Sequence, residues 1–347
     1  MWQYSHHVLA GLRTHEGPIL TVANFAGDWP GLVGLLGLNA GLTKMQKPYS
    51  TIWSVDFTDD WFAAGLAEWV ESGTITHDAS HVRALPELPA SPERDLGYAL
   101  GDQLMRDKAI IGVFDEGCMG MYNAIFAEGI LNSTERPPVF SRDGQRELHA
   151  GRAFPHFKEA DEGVAVDALI TDRVWTAMGM VPDNTLHDVR WGEEYDGQFV
   201  WVYEISGSVP ASHLGGWQNA EGWRQDPVFF PAGGSTINGV SKPGELVLSR
   251  VFLADGQLQV DIFRGSAIEL PADETERRKQ ATNPEWPIAH VVLHGVSRDQ
   301  FMARHKANHV QMVYADDAAS ADKALLAKAA MFERMGLVVN LIGDVAI

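Results

Sequence analysis

The chain is poor in cysteine, in positive charge and in long apolar runs. Its only cysteine among 347 residues is Cys118, so an intrachain disulfide and a multi-thiolate zinc centre are both excluded, and a bound metal would need oxygen and nitrogen ligands. A cytoplasmic setting is the expectation that follows. Lys and Arg number 27 against 46 Asp and Glu, a formal charge of −19, which argues against an unaided nucleic-acid or anionic membrane surface. The most apolar stretch, Gly31 to Leu42, is well short of the ~20 residues needed to cross a bilayer. Met1 to His7 has no basic region leading into an apolar one, so neither a membrane span nor a signal peptide is expected.

What is present is an ordinary globular composition, 45% hydrophobic and 21% charged, of a length that suits two or three packed units. Ile19 to Ala26 is a short apolar run that ends at Gly27-Asp28-Trp29-Pro30-Gly31, and a small-residue segment with helical spacing follows to Lys44. Tyr49 to Val55 precedes Asp56, Asp59 and Asp60 and the amphipathic segment Trp61 to Glu71, while Ala109 to Phe114 precedes Asp115-Glu116-Gly117. Three strand-then-helix units in succession predict a parallel α/β layer.

Beyond about Pro182 the pattern changes. Phe199 to Ile205, Leu246 to Leu253, Leu258 to Phe263 and His290 to Leu293 are short β-prone runs separated by Gly, Pro and Asp, which predicts a largely antiparallel half. Ala254-Asp255-Gly256 is a hairpin signal, because Asp-Gly tolerates the positive φ angles of a tight turn. Ser297 to Asn308 and Ser320 to Met335 have helical periodicity, the latter stopping at Gly336.

Three segments hold candidate chemistry. Glu159-Ala160-Asp161 sits ahead of the apolar pattern Val164 to Met178, where acids are favoured by a helix dipole even without a function. His187-Asp188-Val189-Arg190-Trp191 gathers polar side chains and an indole; a surface salt bridge is the plainer account. His305 and His309 are four apart, which on a helix gives one face, but the glutamate a zinc hydrolase places between them is missing. Gly233-Gly234-Ser235 and Ser206-Gly207-Ser208 lack the lysine of a P-loop and read as turns, and Cys118 has no evident histidine partner.

Taken in order, Phe25-Ala26-Gly27-Asp28-Trp29-Pro30-Gly31, Gly117-Cys118-Met119-Gly120-Met121, Gly129-Ile130-Leu131-Asn132, Lys158-Glu159-Ala160-Asp161, the Asp188 segment, Ile205-Ser206-Gly207-Ser208, Ala232-Gly233-Gly234, Asn283-Pro284-Glu285-Trp286-Pro287 and Ala307-Asn308-His309 resemble the L-fucose isomerase and L-arabinose isomerase family of aldose–ketose isomerases. The form is unusually short, with only Tyr122 to Glu128 between the second and third of these segments.

The resemblance implies a metal, manganese in most of the family and otherwise Mg2+ or Co2+, held by Glu159, Asp188 and His309, with Glu159 and Asp188 also the acid/base pair. Two carboxylates and an imidazole leave room on a hard octahedral cation for two sugar oxygens and a water. Asn308, Ser206, Arg190 and Trp191 are the implied sugar contacts, and Trp217 and Trp223 are further indoles suited to stacking on a sugar. A monosaccharide of the L-fucose or D-arabinose type, moved between aldose and ketose through an ene-diol, is the implied substrate, and a homo-oligomer the implied assembly. The expected architecture is α/β: shortened Rossmann-like layers over residues 1–107 and 108–183, then a β-barrel-like, largely antiparallel domain over 184–347. A metal-dependent hydrolase and a catalytically silent sugar-binding protein are the rival readings.

Overall fold

In a computed structural model of the chain the described residues are 5–25, 31–107, 162–180, 186–206, 224–225, 237–238, 240–282, 288–305 and 309–347. Helix α1 (Ser5–Leu12) rests on α2 (Leu32–Lys44), and strands β1 (Leu20–Asn24) and β2 (Ser50–Ser54) run parallel with Leu20 opposite Ser50. Helix α3 (Asp60–Ser72) starts where the Asp59 carboxylate accepts the Phe62 N–H at 2.7 Å and stops at Gly73, whose φ of 78° suits glycine alone among common residues. Strand β3 (Val82–Ala84) and α4 (Pro92–Arg106), capped by Ser91, complete the first third.

Helix α5 (Glu162–Ala177) leads to the hairpin β4 (Leu186–Tyr195) and β5 (Gln198–Ser206); β6 (Arg224–Gln225) and β7 (Ile237–Asn238) form a small separate pair. Strands β8 (Gly244–Ala254) and β9 (Gln257–Ala267) follow, then α6 (Ala272–Gln280), β10 (Ile288–Leu293), α7 (Arg298–Arg304), β11 (His309–Ala315), α8 (Ala318–Arg334) and β12 (Val338–Ile342). The β8–β9 turn has φ of 53° at Asp255 and 73° at Gly256, the double positive φ that the Asp-Gly pair predicts.

The main sheet has the order β10-β5-β4-β11-β8-β9-β12-β3 and is antiparallel except for β12 against β9. It rolls: β10 pairs with β5 over Ile288 to Val291 and touches β9 over Val291 to Leu293, while β12 takes the edge of β9 from Gln259 to Phe263. Because β9 has three neighbours, β8, β10 and β12, and β12–β3 continue outward, the sheet is splayed and not a closed barrel. The antiparallel character of the second half is as expected; the barrel-like closure is not. The expected Rossmann-like layers are represented among the described residues by the parallel β1–β2 pair, which does not make a doubly wound sheet, and the third predicted strand, residues 109–114, lies outside them.

The inner face of the roll is filled by Val189, Trp201, Tyr203, Leu248, Phe263, Val291 and Met312, plugged by Phe25, Leu32 and Leu36 and by Phe301 of α7. On the outer face α4, α5 and α8 cover β8, β9, β11 and β12 through Leu169, Val174, Leu325 and Phe332 against Val247, Val251, Val260 and Val313. At roughly 1.5–3 kcal/mol for each large side chain buried, these two layers drive the fold. Helices α4 and α8 approach so closely that a Cβ on Gly97 would stand 2.3 Å from the Ala327 carbonyl oxygen.

Candidate metal and sugar site

In antiparallel strands, residues directly opposite one another share a face of the sheet, with Cα atoms about 4.5–5.5 Å apart. Asp188 on β4 stands opposite position 309 on β11 and, on its other side, opposite Glu204 on β5. Three chemistry-bearing positions therefore lie in one row across three neighbouring strands, on the outer face of the roll. Position 206, two residues beyond Glu204, is in register with position 186.

A β-bulge shapes the middle of this row. Val189 pairs with Tyr203 and Trp191 with Val202, so Arg190 is the extra residue of β4. The inserted residue keeps Val189 in the inner core and carries Trp191 to the outer face, where strict alternation would have turned it inward. The Asp-Val-Arg-Trp sequence thus presents Asp188, Arg190 and Trp191 on one side. Trp191 is buried against Val202 and Ile288, its indole N–H donating to the Thr282 hydroxyl at 3.3 Å and its ring beneath the Arg278 guanidinium at 5.5 Å. It forms part of the wall of this face.

Glu204 is 4% exposed, and Arg190 Nε lies 3.2 Å from its Oε2 in an ion pair without hydrogen-bond alignment. Burial raises the Glu204 carboxyl to about 7, opposed by the Arg190 charge and reinforced by the negative Asp188 beside it. His290 follows on the same face, opposite Val202; burial and the Arg278 charge lower its imidazole to about 3, and neither ring nitrogen meets a hydrogen-bond partner among the described residues.

The row continues in the other direction as a buried polar seam. Gln311, two residues after position 309, is fully buried opposite Ser249 of β8. The Ser249 hydroxyl donates to the Asp167 carboxylate of α5 at 2.6 Å and accepts from Lys328 Nζ of α8 at 2.5 Å, while Lys328 meets Asp167 at 2.7 Å. Desolvation lowers the Lys328 ammonium and Asp167 counters it.

The sequence-predicted ligands fare unequally. Asp188 and position 309 come together by register. Glu159 and Asn308 lie outside the described residues, as do Cys118, Trp217, Trp223 and Gly233 to Ser235. The four-residue spacing of His305 and His309 does not make a helix face: His305 caps the end of α7, buried and stacked on Phe301 at 4.5 Å, and position 309 opens β11. Among the described residues no group of three His, Cys, Asp or Glu forms a metal centre. By residue type, an aspartate at position 188 in register with a histidine at position 309 suits a hard divalent cation such as manganese. Glu204 was missed by sequence reasoning, although an acid inside the apolar alternation Phe199 to Ile205 is a readable anomaly.

Residues 206–331 match the family model of the L-fucose isomerase C-terminal domain. Within that stretch, which is less than half of the chain, the sequence is similar to an L-fucose isomerase C-terminal domain. The match begins at the end of β5 and runs into α8, so it takes in position 309, Ser249 and Lys328, while Asp188, Arg190 and Glu204 stand just ahead of it. The matched model describes a domain of a sugar isomerase. A comparison with curated protein sequences returns no match. None of the described helices is long and apolar enough to cross a membrane.

Proposed function

We propose that this protein is a metal-dependent aldose–ketose isomerase acting on a monosaccharide of the L-fucose or D-arabinose configuration, in the cytoplasm and as a homo-oligomer. The observation that carries this is the pairing of Asp188 with position 309 across β4 and β11, on a chain with an L-fucose isomerase-like domain. Asp188 and His309, with Glu159, are the residues that would hold the cation. Bound there, a divalent cation would stabilise negative charge developing on adjacent sugar oxygens.

The remaining steps belong to the chain's own groups. Asp188 and Glu159 take the proton from C2 and return it at C1 while the hydroxyl proton passes from O2 to O1, so that the aldehyde becomes an alcohol and C2 the ketone, reversibly through the ene-diol. Arg190 and Trp191, brought to one face by the bulge, bound the sugar on the β4 side, and Ser206 and Asn308 meet its hydroxyls. Burial of Val202, Ile288 and Trp191 keeps that side dry, which strengthens every charge interaction beside it.

Manganese titration of the metal-stripped protein, followed by ketose formation from L-fucose and D-arabinose, tests the reading. His309→Ala and Glu159→Gln are each expected to lose manganese affinity and turnover together. Full metal binding and activity in both variants would overturn it. Tight metal binding with hydrolysis of a sugar derivative, or with sugar binding and no turnover, would favour the hydrolase or the binding protein instead.

A further inference from the structure

Resting on the metal reading above, we infer that Glu204 is a positioning residue: it engages the Arg190 guanidinium on the β5 side and so prevents Arg190 from becoming the partner of Asp188.

The bulge forces the issue. Arg190 is the extra residue of β4, two positions from Asp188 and on the same outer face, so a long flexible cation and a candidate metal-ligating carboxylate share one strand at close range. A guanidinium matches a carboxylate in two parallel hydrogen bonds and would occupy both oxygens that a cation needs. Glu204 is placed to compete for it. It stands opposite Asp188 in register, is 4% exposed, and lies 3.2 Å from Arg190 Nε. Buried between β4 and β10, with Ile288 opposite on its other side, it has little freedom to move away. A buried carboxylate is costly unless a cation stands beside it, so Glu204 holds the Arg190 charge on the β5 side and off the metal position. Nothing in this requires Glu204 to touch metal or sugar.

The test compares manganese dissociation constants, by calorimetry on metal-stripped protein, for wild type, Glu204→Gln and the pair Glu204→Gln/Arg190→Met. Thermal unfolding of each without metal serves as the folding control. Glu204→Gln is expected to bind manganese about 10-fold or more weakly, since the released Arg190 turns to Asp188, and the added Arg190→Met is expected to restore affinity to within about threefold of wild type. A merely structural role for Glu204 would leave the double variant as weak as the single one, or weaker, and that result overturns the inference. So does wild-type affinity in Glu204→Gln. Absence of manganese binding in the wild type itself would overturn the metal reading and this inference with it, whereas failure confined to the variants overturns the inference alone.

Discussion

The two ends of the buried outer-face seam carry the same kinds of residue in opposite balance. At the α5–β8–α8 end, Asp167 and Lys328 cancel one another and Ser249 bonds both, so the group is satisfied within the fold. At the β5–β4–β11 end, Asp188 and Glu204 stand opposite one another, with Arg190 beside Glu204 and position 309 in register with Asp188. One end is an ion pair bridged by a hydroxyl, the other sets two carboxylates beside one another with a single arginine at Glu204. That difference is why the proposed cation is assigned to the second end, where adjacent carboxylates would be stabilised by it.

Breaking the ion-paired end should cost the most. Lys328→Met strands the Asp167 carboxylate in the core, and urea unfolding should report a loss of about 3–5 kcal/mol, whereas Lys328→Met/Asp167→Leu should recover most of it. The loss is expected to be equal with and without manganese. A metal-dependent loss would mean that the two ends are not separable in function.

A second test probes how strongly the charged end excludes further positive charge. His290 is held neutral, its imidazole lowered from 6.5 to about 3 by burial and by Arg278. A histidine depressed in the folded state contributes fully above pH 6.5 and loses that contribution as pH falls, because the unfolded chain takes up the proton first. The decline should reach about 2 kcal/mol by pH 5, and His290→Leu should flatten stability between pH 6.5 and 5. An unchanged slope in that variant would contradict the assignment.

The smallest effect is expected away from both ends. Ser297 caps α7 in a reciprocal box with Gln300, accepting the Gln300 N–H at 3.2 Å while the Gln300 side chain accepts the Ser297 N–H at 3.0 Å. Ser297→Ala should cost about 1 kcal/mol by thermal unfolding and leave manganese affinity unchanged.

Much of this architecture is legible in the sequence where the signal is local. Alternation marked β5, β8, β9 and β10, Asp255-Gly256 marked the hairpin, and Gly336, with φ of 88°, marked the end of α8. The spacing of His305 and His309 misled because periodicity gives no sign that α7 stops at Arg304 and a strand begins at position 309. The rolled sheet was out of reach for a similar reason: β9 shares its edges among β8, β10 and β12, a consequence of long-range packing. Of the candidate motifs, the fold brings two into register, at Asp188 and position 309, while Glu159 lies outside the described residues. Glu204 and the bulge at Arg190 needed that register to acquire meaning.

The most direct test of the central claim, that the charged end of the seam works as a metal-assisted isomerase site, is deuterium incorporation at sugar C2, followed by NMR in D2O with metal-stripped protein and then with manganese. L-fucose and D-arabinose would be assayed beside L-rhamnose, L-arabinose and D-altrose. Manganese-dependent exchange on L-fucose or D-arabinose, reduced on the order of 10³-fold in Asp188→Asn, is the result predicted here. Exchange that persists in Asp188→Asn, or silence on every sugar despite tight manganese binding, would contradict it.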